Sequence, residues 1–273
     1  MITRTLHGFE IPALGLGTWK LRDDEARHIV EAALKGGWRH IDTAAIYENE
    51  VEVGEGLRAS GVARDQVWLT TKVWNDARDA DAVLRAAEAS VKRLGVDRVD
   101  LLLLHWPVDA PLKDRVRGLE RAVREGLTRA VGVSNFTRAM FEEACARCDE
   151  PILTNQVEYH PYLDQSALIA AAAARGAALT AYSPLAQGAL VRDPVIGRIA
   201  QEKGASASQV ALAWFLAQPE VMVIPKTATP ERLPENLGAM DLSLDEADMD
   251  AISALKRPDG RTINPSWAPH WDS

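Results

Sequence analysis

The sequence is poor in several features, and each shortage narrows its class. It has 2 cysteines in 273 residues, Cys145 and Cys148, and no second pair with which to build a metal site. They form a CxxC inside FEEACARCDE, whose flanking residues have helical character. Two thiols one turn apart on an ordinary helix are expected, with no redox or metal role. No apolar run approaches the ~18 residues of a membrane-spanning helix. Residues 1–10 have no signal-peptide pattern, so a soluble cytoplasmic chain is expected. Basic charge is in deficit. There are 31 Lys and Arg against 39 Asp and Glu, a net charge of −8, which argues against nucleic acid or an anionic membrane as partners. A GxGxxG loop between strand and helix is also missing. Gly15-Leu16-Gly17 runs into Thr18-Trp19 instead, which removes the doubly wound dinucleotide fold.

What remains is an ordinary globular composition, 47% hydrophobic and 26% charged, ample for a buried core. Residues 1–12 read as a short hairpin turning near Gly8. Strand patterns follow at 13–19, at HIDTA, and at 67–72, 99–106, 128–135, 152–159, 178–184 and 221–226. Helix patterns fall between them at 23–35, 49–60, 79–94, 113–125, 137–147, 165–175, 193–203 and 208–217, and a last helix at 243–255. Residues 256–273 have no period. Strand and helix alternate about eight times with no linker, the pattern of an α/β (β/α)8 TIM barrel in a single domain, 1–273.

Three strand patterns end in titratable residues. HIDTAAIY carries Asp42 and Tyr47, TTK ends on Lys72, and LLLLHW ends on His105 and Trp106. In a parallel barrel the C-terminal strand ends share one rim, where the chemistry is expected. Reducing a carbonyl needs a hydride on carbon and a proton on oxygen. A phenol is a poor acid at neutral pH, and a cation beside it lowers its pKa. Lys72 is the expected cation for Tyr47, Asp42 its anchor, and His105 the donor that orients the carbonyl oxygen. His28, His40 and His160 lack metal-type spacing and are expected to be structural, and no metal is predicted.

The segments GLGTW, HIDTAAIYENEVEVG, TTKVW, LLLLHWP, VGVSNF, NQVEYHPY, AYSPLAQG and IPKTATPERLPENL together resemble the aldo-keto reductase family, in that family's order. The tail, ending APHWD, resembles the prokaryotic 2,5-diketo-D-gluconic acid reductases, the B type in particular. The resemblance implies a barrel with its tail over the catalytic rim, NADPH dependence, and reduction of aldehydes or ketones to alcohols. It makes Asp42, Tyr47, Lys72 and His105 the catalytic tetrad, with Tyr47 as general acid. Amide and hydroxyl groups of Ser134, Asn135 and Gln156 suit a carboxamide, and Tyr182 offers a ring for stacking. By resemblance these hold the nicotinamide. Gly17, Thr18 and Asp42 would lie near its ribose, and Ser183 and Leu185 near the pyrophosphate. Lys226, Thr227 and Arg232 suit a ribose phosphate, with Glu235 and Asn236 addressing adenine, which favours NADPH over NADH.

Trp19, Trp74, Trp106 and Trp271, with Tyr47 and His105, are the expected substrate contacts. Trp267 could instead plug the barrel edge, and Trp38, Trp68 and Trp214 are expected in the core. The expected substrates are 2,5-diketo-D-gluconate, methylglyoxal-like compounds or aromatic aldehydes, acted on by a monomer. The alternative function on the same fold is a non-catalytic NADP(H)-sensing or structural protein.

Overall fold

A computed structural model describes residues 1–272. An antiparallel hairpin, β1 (Thr3–Leu6) and β2 (Phe9–Pro12), opens the chain and turns at Gly8, whose φ of +85° suits a residue without a side chain. Then come β3 (Leu16–Gly17), α1 (Asp23–Lys35), β4 (His40–Asp42), α2 (Glu50–Ala59), β5 (Trp68–Val73), α3 (Ala80–Leu94), β6 (Val99–Leu104) and α4 (Leu112–Arg124). The second half holds β7 (Thr128–Ser134), α5 (Arg138–Arg147), β8 (Ile152–Glu158), α6 (Ser166–Ala173) and β9 (Ala178–Tyr182). It ends with α7 (Pro194–Lys203), α8 (Ala207–Leu216), β10 (Val221–Val223), α9 (Arg232–Leu237) and α10 (Glu246–Ser253).

Strands β3 to β10 pair in sequence order as one parallel sheet of 8. The sheet closes on itself next to β3. Leu14 bridges Val223, with Gly15 N donating to Val223 O at 2.8 Å and Val223 N to Ala13 O at 2.8 Å. The fold is therefore the expected (β/α)8 barrel. Closure leaves no strand edge, and both faces of each strand are covered, which is why β6 reads VDLLLL and is buried throughout. The period of two sorts its side chains. Leu101 and Leu103 join Trp68, Leu153 and Met222 inside the barrel, while Leu102 and Leu104 pack outward against the helices. The hairpin adds Leu6, Phe9 and Ile11 to the inner cluster and so plugs one end. The opposite rim is left for the site.

Helix ends follow the local signals. Asp79 caps α3 by accepting from Ala82 N, and Gly95 ends it at φ +64°. Three expectations are corrected. The strand expected over 13–19 narrows to β3, because Thr18 N and its hydroxyl both turn to donate to Asp42 O at 3.0 Å. The last helix starts at Glu246 because Asp245 and Asp248 form a capping box there. Helix α9 was not among the expected helices; its Pro234 sits in the first turn, where its missing N–H costs nothing. Trp38, Trp68 and Trp214 lie in the core as expected. Cys145 and Cys148 are free and half-buried, and burial pushes their thiols up to about 11 and about 12.

Candidate active site

The open rim is organised by the donor count of one lysine. Lys72, in β5, is fully buried, and its Nζ donates to Asp42 Oδ1 at 2.5 Å, Thr43 O at 2.8 Å and Tyr47 Oη at 3.3 Å. An ammonium has three protons and no lone pair, so all three are spent. Tyr47 Oη is then the acceptor in its contact with Lys72, and its own proton is free to point elsewhere. The other oxygen of Asp42 accepts from Gln156 Nε2 at 2.7 Å. The carboxylate is thus held from β5 on one side and β8 on the other. Tyr47 arrives on a short 3-10 turn, Ala45–Tyr47, after β4.

Electrostatics correct one expectation. Burial holds the Tyr47 phenol well above its ordinary value, and the Asp42 carboxylate adds to this. These two outweigh the Lys72 cation, whose charge is largely balanced by Asp42 at contact distance. Burial also lowers the Lys72 ammonium, against the pull of Asp42. His105 follows β6 and is held well below its ordinary value by burial and then by the Lys72 charge, so its ring is neutral. Its Nδ1 is buried without a hydrogen-bond partner, leaving Nε2 as the nitrogen that can address a molecule in the cavity.

His40 is structural, as expected. Its Nδ1 lies 3.0 Å from the Pro12 carbonyl, which can only accept, so Nδ1 carries the proton. His28 is exposed beside Arg27 at 3.2 Å, and His160 is buried beside Glu158 at 3.1 Å.

Asp42, Tyr47, His105 and Gln156 line a cavity of about 320 Å³, together with Gly17, Thr18, Trp19, Trp74, Trp106, Ser134, Asn135, Tyr182, Ser183 and Lys226. Its floor is a polar network between strand ends. Ser134 Oγ donates to Gln156 O at 2.7 Å, Asn135 Nδ2 donates to His105 O at 3.0 Å, and Tyr182 Oη donates to Asn135 Oδ1 at 2.7 Å. Its mouth is aromatic. Trp19 packs on Tyr47 at 4.8 Å between ring centres, and Trp74 stands edge-on to His105 at 5.1 Å.

Sequence reasoning missed Ile46, Pro184, Ile224, Ile263 and Trp267, which also line the cavity. Of the two tail tryptophans it took Trp271 as the substrate contact and left Trp267 open. Trp267 faces the cavity and packs on Trp106 at 4.8 Å and Trp74 at 6.1 Å. Trp271 instead stands outside the lining, 6.1 Å from Trp106, under the Arg261 guanidinium at 3.9 Å. An aperiodic tail carries no signal for which indole turns inward. Arg115 was also missed. It is buried in α4 and donates to the carbonyls of Ala77 at 3.0 Å and Trp106 at 2.9 Å, tying two rim loops together.

The family model of the aldo/keto reductases matches residues 13–257. The chain belongs to the aldo/keto reductase family. This aldo/keto reductase is 43% identical over 265 residues to the glyoxal reductase of Bacillus subtilis (strain 168), covering 96% of each chain. The crystal structure of a protein proposed to be a 2,5-diketo-D-gluconic acid reductase B matches it with a TM-score of 0.98 and 45% identity, over 100% of this chain and 98% of that one. The Bombyx mori aldo-keto reductase, solved in complex with NADP, matches with a TM-score of 0.88 and 29% identity, over 97% and 95% of the two chains. The family and its reductase members make this chain an oxidoreductase acting on carbonyl groups.

The segment after β10 extends from the cavity along the outside of this aldo/keto reductase. Lys226 is exposed at the cavity edge. Thr227 closes a turn, its Oγ1 accepting from Thr229 N at 3.0 Å. Arg232 is exposed at the start of α9, Asn236 is buried, and Glu235 accepts from Ser206 Oγ at 2.5 Å. Leu185 lies half-buried after β9, outside the cavity lining.

Proposed function

We propose that this aldo/keto reductase uses NADPH to reduce small aldehydes and ketones to alcohols, with Tyr47 giving the proton. The observation that carries this is the donor count at Lys72, which leaves the Tyr47 proton uncommitted at the cavity wall. The raised pKa of Tyr47 suits the role, because a donor must be protonated before it can donate. An alkoxide forming on the substrate is far more basic than a phenolate, so the transfer runs downhill. The Lys72 proton already on Tyr47 Oη then stabilises the phenolate left behind. His105 Nε2 orients the carbonyl oxygen without competing as an acid, since its ring is neutral.

The donor set fits the cofactor. Ser134, Asn135 and Gln156 would hold a carboxamide at the floor, with Tyr182 beside the ring. Gly17, Thr18 and Asp42 would border the nicotinamide ribose, and Ser183 and Leu185 the pyrophosphate. Lys226, Thr227 and Arg232 would take the 2′-phosphate, and Glu235 and Asn236 the adenine. NADPH bound there supplies the hydride. Trp19, Trp74, Trp106 and Trp267 with Ile46 and Ile263 leave the substrate end almost without charge. Such walls favour methylglyoxal-like compounds and aromatic aldehydes over the carboxylated 2,5-diketo-D-gluconate.

The test is loss of nicotinamide absorbance with methylglyoxal, 4-nitrobenzaldehyde and 2,5-diketo-D-gluconate, each with NADPH and NADH. Turnover with NADPH, fastest on the two uncharged substrates, is expected. Tight NADPH binding without turnover on any aldehyde would replace this reading with a nucleotide sensor.

A further inference from the structure

Trp267 packs on Trp106 and Trp74 but is not enclosed. Its indole is 52% exposed and it sits in an aperiodic tail. The tail is pinned from below by Glu158, the last residue of β8, which is fully buried. Strand alternation puts Glu158 on the same face as Gln156, two residues earlier, which lines the cavity floor. Glu158 Oε1 accepts from Thr262 N at 2.8 Å and from the Thr262 hydroxyl at 2.5 Å, and Oε2 accepts from Ile263 N at 2.9 Å. His160 Nε2 lies at 3.1 Å from Oε1, and Arg261 Nη1 at 3.9 Å from Oε2. The main chain beneath it is steadied by Gln165, whose Nε2 donates to the Glu158 backbone carbonyl at 2.9 Å.

The neighbouring contacts guide the chain onto this carboxylate. Arg257 N donates to Tyr162 O at 3.0 Å, and Gly260 lies so close to that carbonyl that any side chain would clash with it. Downstream, Asp272 accepts from Arg138 N at 2.5 Å. Ile263 and Trp267 lie between these anchors and line the cavity.

We propose that Glu158 is a positioning residue for the substrate pocket. It clamps the tail at Thr262 and Ile263 and thereby holds Ile263 and Trp267 against the cavity. Substrates broad enough to touch that wall depend on the clamp, and smaller ones do not. The kinetic arm rests on the carbonyl-reductase reading; the amide-exchange arm needs no turnover and tests the clamp by itself.

Glu158→Gln keeps the volume but puts an NH2 where one of the tail amides needs an acceptor. In the full chain, hydrogen exchange at the amides of Thr262 and Ile263 is expected to quicken about ten-fold or more. With NADPH saturating, KM for 4-nitrobenzaldehyde is expected to rise about ten-fold, while kcat/KM for methylglyoxal stays within about two-fold and NADPH affinity is unchanged. Trp267→Ala should reproduce the kinetic pattern, and the double variant should be no worse than either single one. Thr262→Val, a milder change on the tail side, should move both readouts the same way by less and covers the case in which Glu158→Gln does not fold. Unchanged exchange in the variants overturns the clamp. Quickened exchange with equal losses on both aldehydes, or additive losses in the double variant, overturns the link to substrate selection.

Discussion

Two buried carboxylates mark the two ends of the barrel, and the difference between them separates support from chemistry. Asp100, near the start of β6, accepts from Leu69 N at 3.0 Å and Arg129 at 2.9 Å, and forms an ion pair with Arg64 at 2.7 Å. Both guanidiniums keep water contact, with side chains 39% and 32% exposed. Asp42, at the end of β4, pairs with a lysine that has no exposure at all. The first cluster closes on itself, and none of its residues lines the active-site cavity. In the second, the cation also donates to Thr43 O and to a phenol facing a cavity. The two carboxylates thus differ in what their cations reach: the Lys72 ammonium is dry and gives its third proton to Tyr47.

The imidazoles repeat the contrast. His40, near the plugged end, has Nδ1 on the Pro12 carbonyl and Nε2 3.4 Å from the Thr70 hydroxyl. His105, on the open rim, keeps a buried Nδ1 without a partner. His40 is therefore held at both ring nitrogens, whereas His105 has Nε2 left to meet a molecule in the cavity.

The largest expected effect tests this contrast directly. Tyr47→Phe should lower kcat/KM by roughly 10²–10⁴-fold with NADPH affinity retained. Asp100→Asn should leave kcat/KM within about two-fold. Full activity in Tyr47→Phe would mean that another group delivers the proton. Next, Lys72→Met strands the Asp42 carboxylate in a dry site and should cost about 3–5 kcal/mol in chemical denaturation, with turnover abolished.

A smaller effect is read from pH. The folded pKa values of His40 and His105 lie below the ordinary 6.5, because burial disfavours the charged rings. Below pH 6.5 the unfolded chain takes up protons that the folded chain refuses. Stability should therefore fall with decreasing pH, by up to about 1.4 kcal/mol per pH unit for each ring. The His105 contribution extends further down, since its pKa is the more strongly depressed. Denaturation midpoints from pH 7 to 5 check this, and His105→Asn should flatten the slope; an unchanged slope would show that the ring accepts a proton when folded. The smallest effect is at the plugged end. Arg129→Met should cost under about 1 kcal/mol, because the exposed guanidinium was largely hydrated and Arg64 remains. A loss there as large as that of Lys72→Met would erase the distinction between the two ends.

Much was legible before any coordinates. Helix α1 falls on residues 23–35 as its period and its Gly36-Gly37 stop require. The near-continuous apolar run at β6 announces a strand covered on both faces. Asp42, Tyr47, Lys72 and His105 could be placed on one rim, because parallel strands joined by helices must end on the same side. All of these are statements about single elements and their order. They follow from side-chain periodicity and turn chemistry, which act over a few residues and are written in sequence.

Only the tertiary structure decided what meets what across elements. Gln156 meets Asp42 across 114 positions, and Glu158 meets Thr262 across 104. The Tyr47 pKa rises because burial and Asp42 outweigh a lysine whose charge is already balanced, a sum over neighbours that spacing does not record. Trp267 rather than Trp271 enters the cavity, a choice made by the folded path of the tail and not by any period in its sequence. Periodicity dictates which face of an element is buried. Barrel closure and the folded path of the tail dictate which partner it is buried against, and the chemistry depends on the partner.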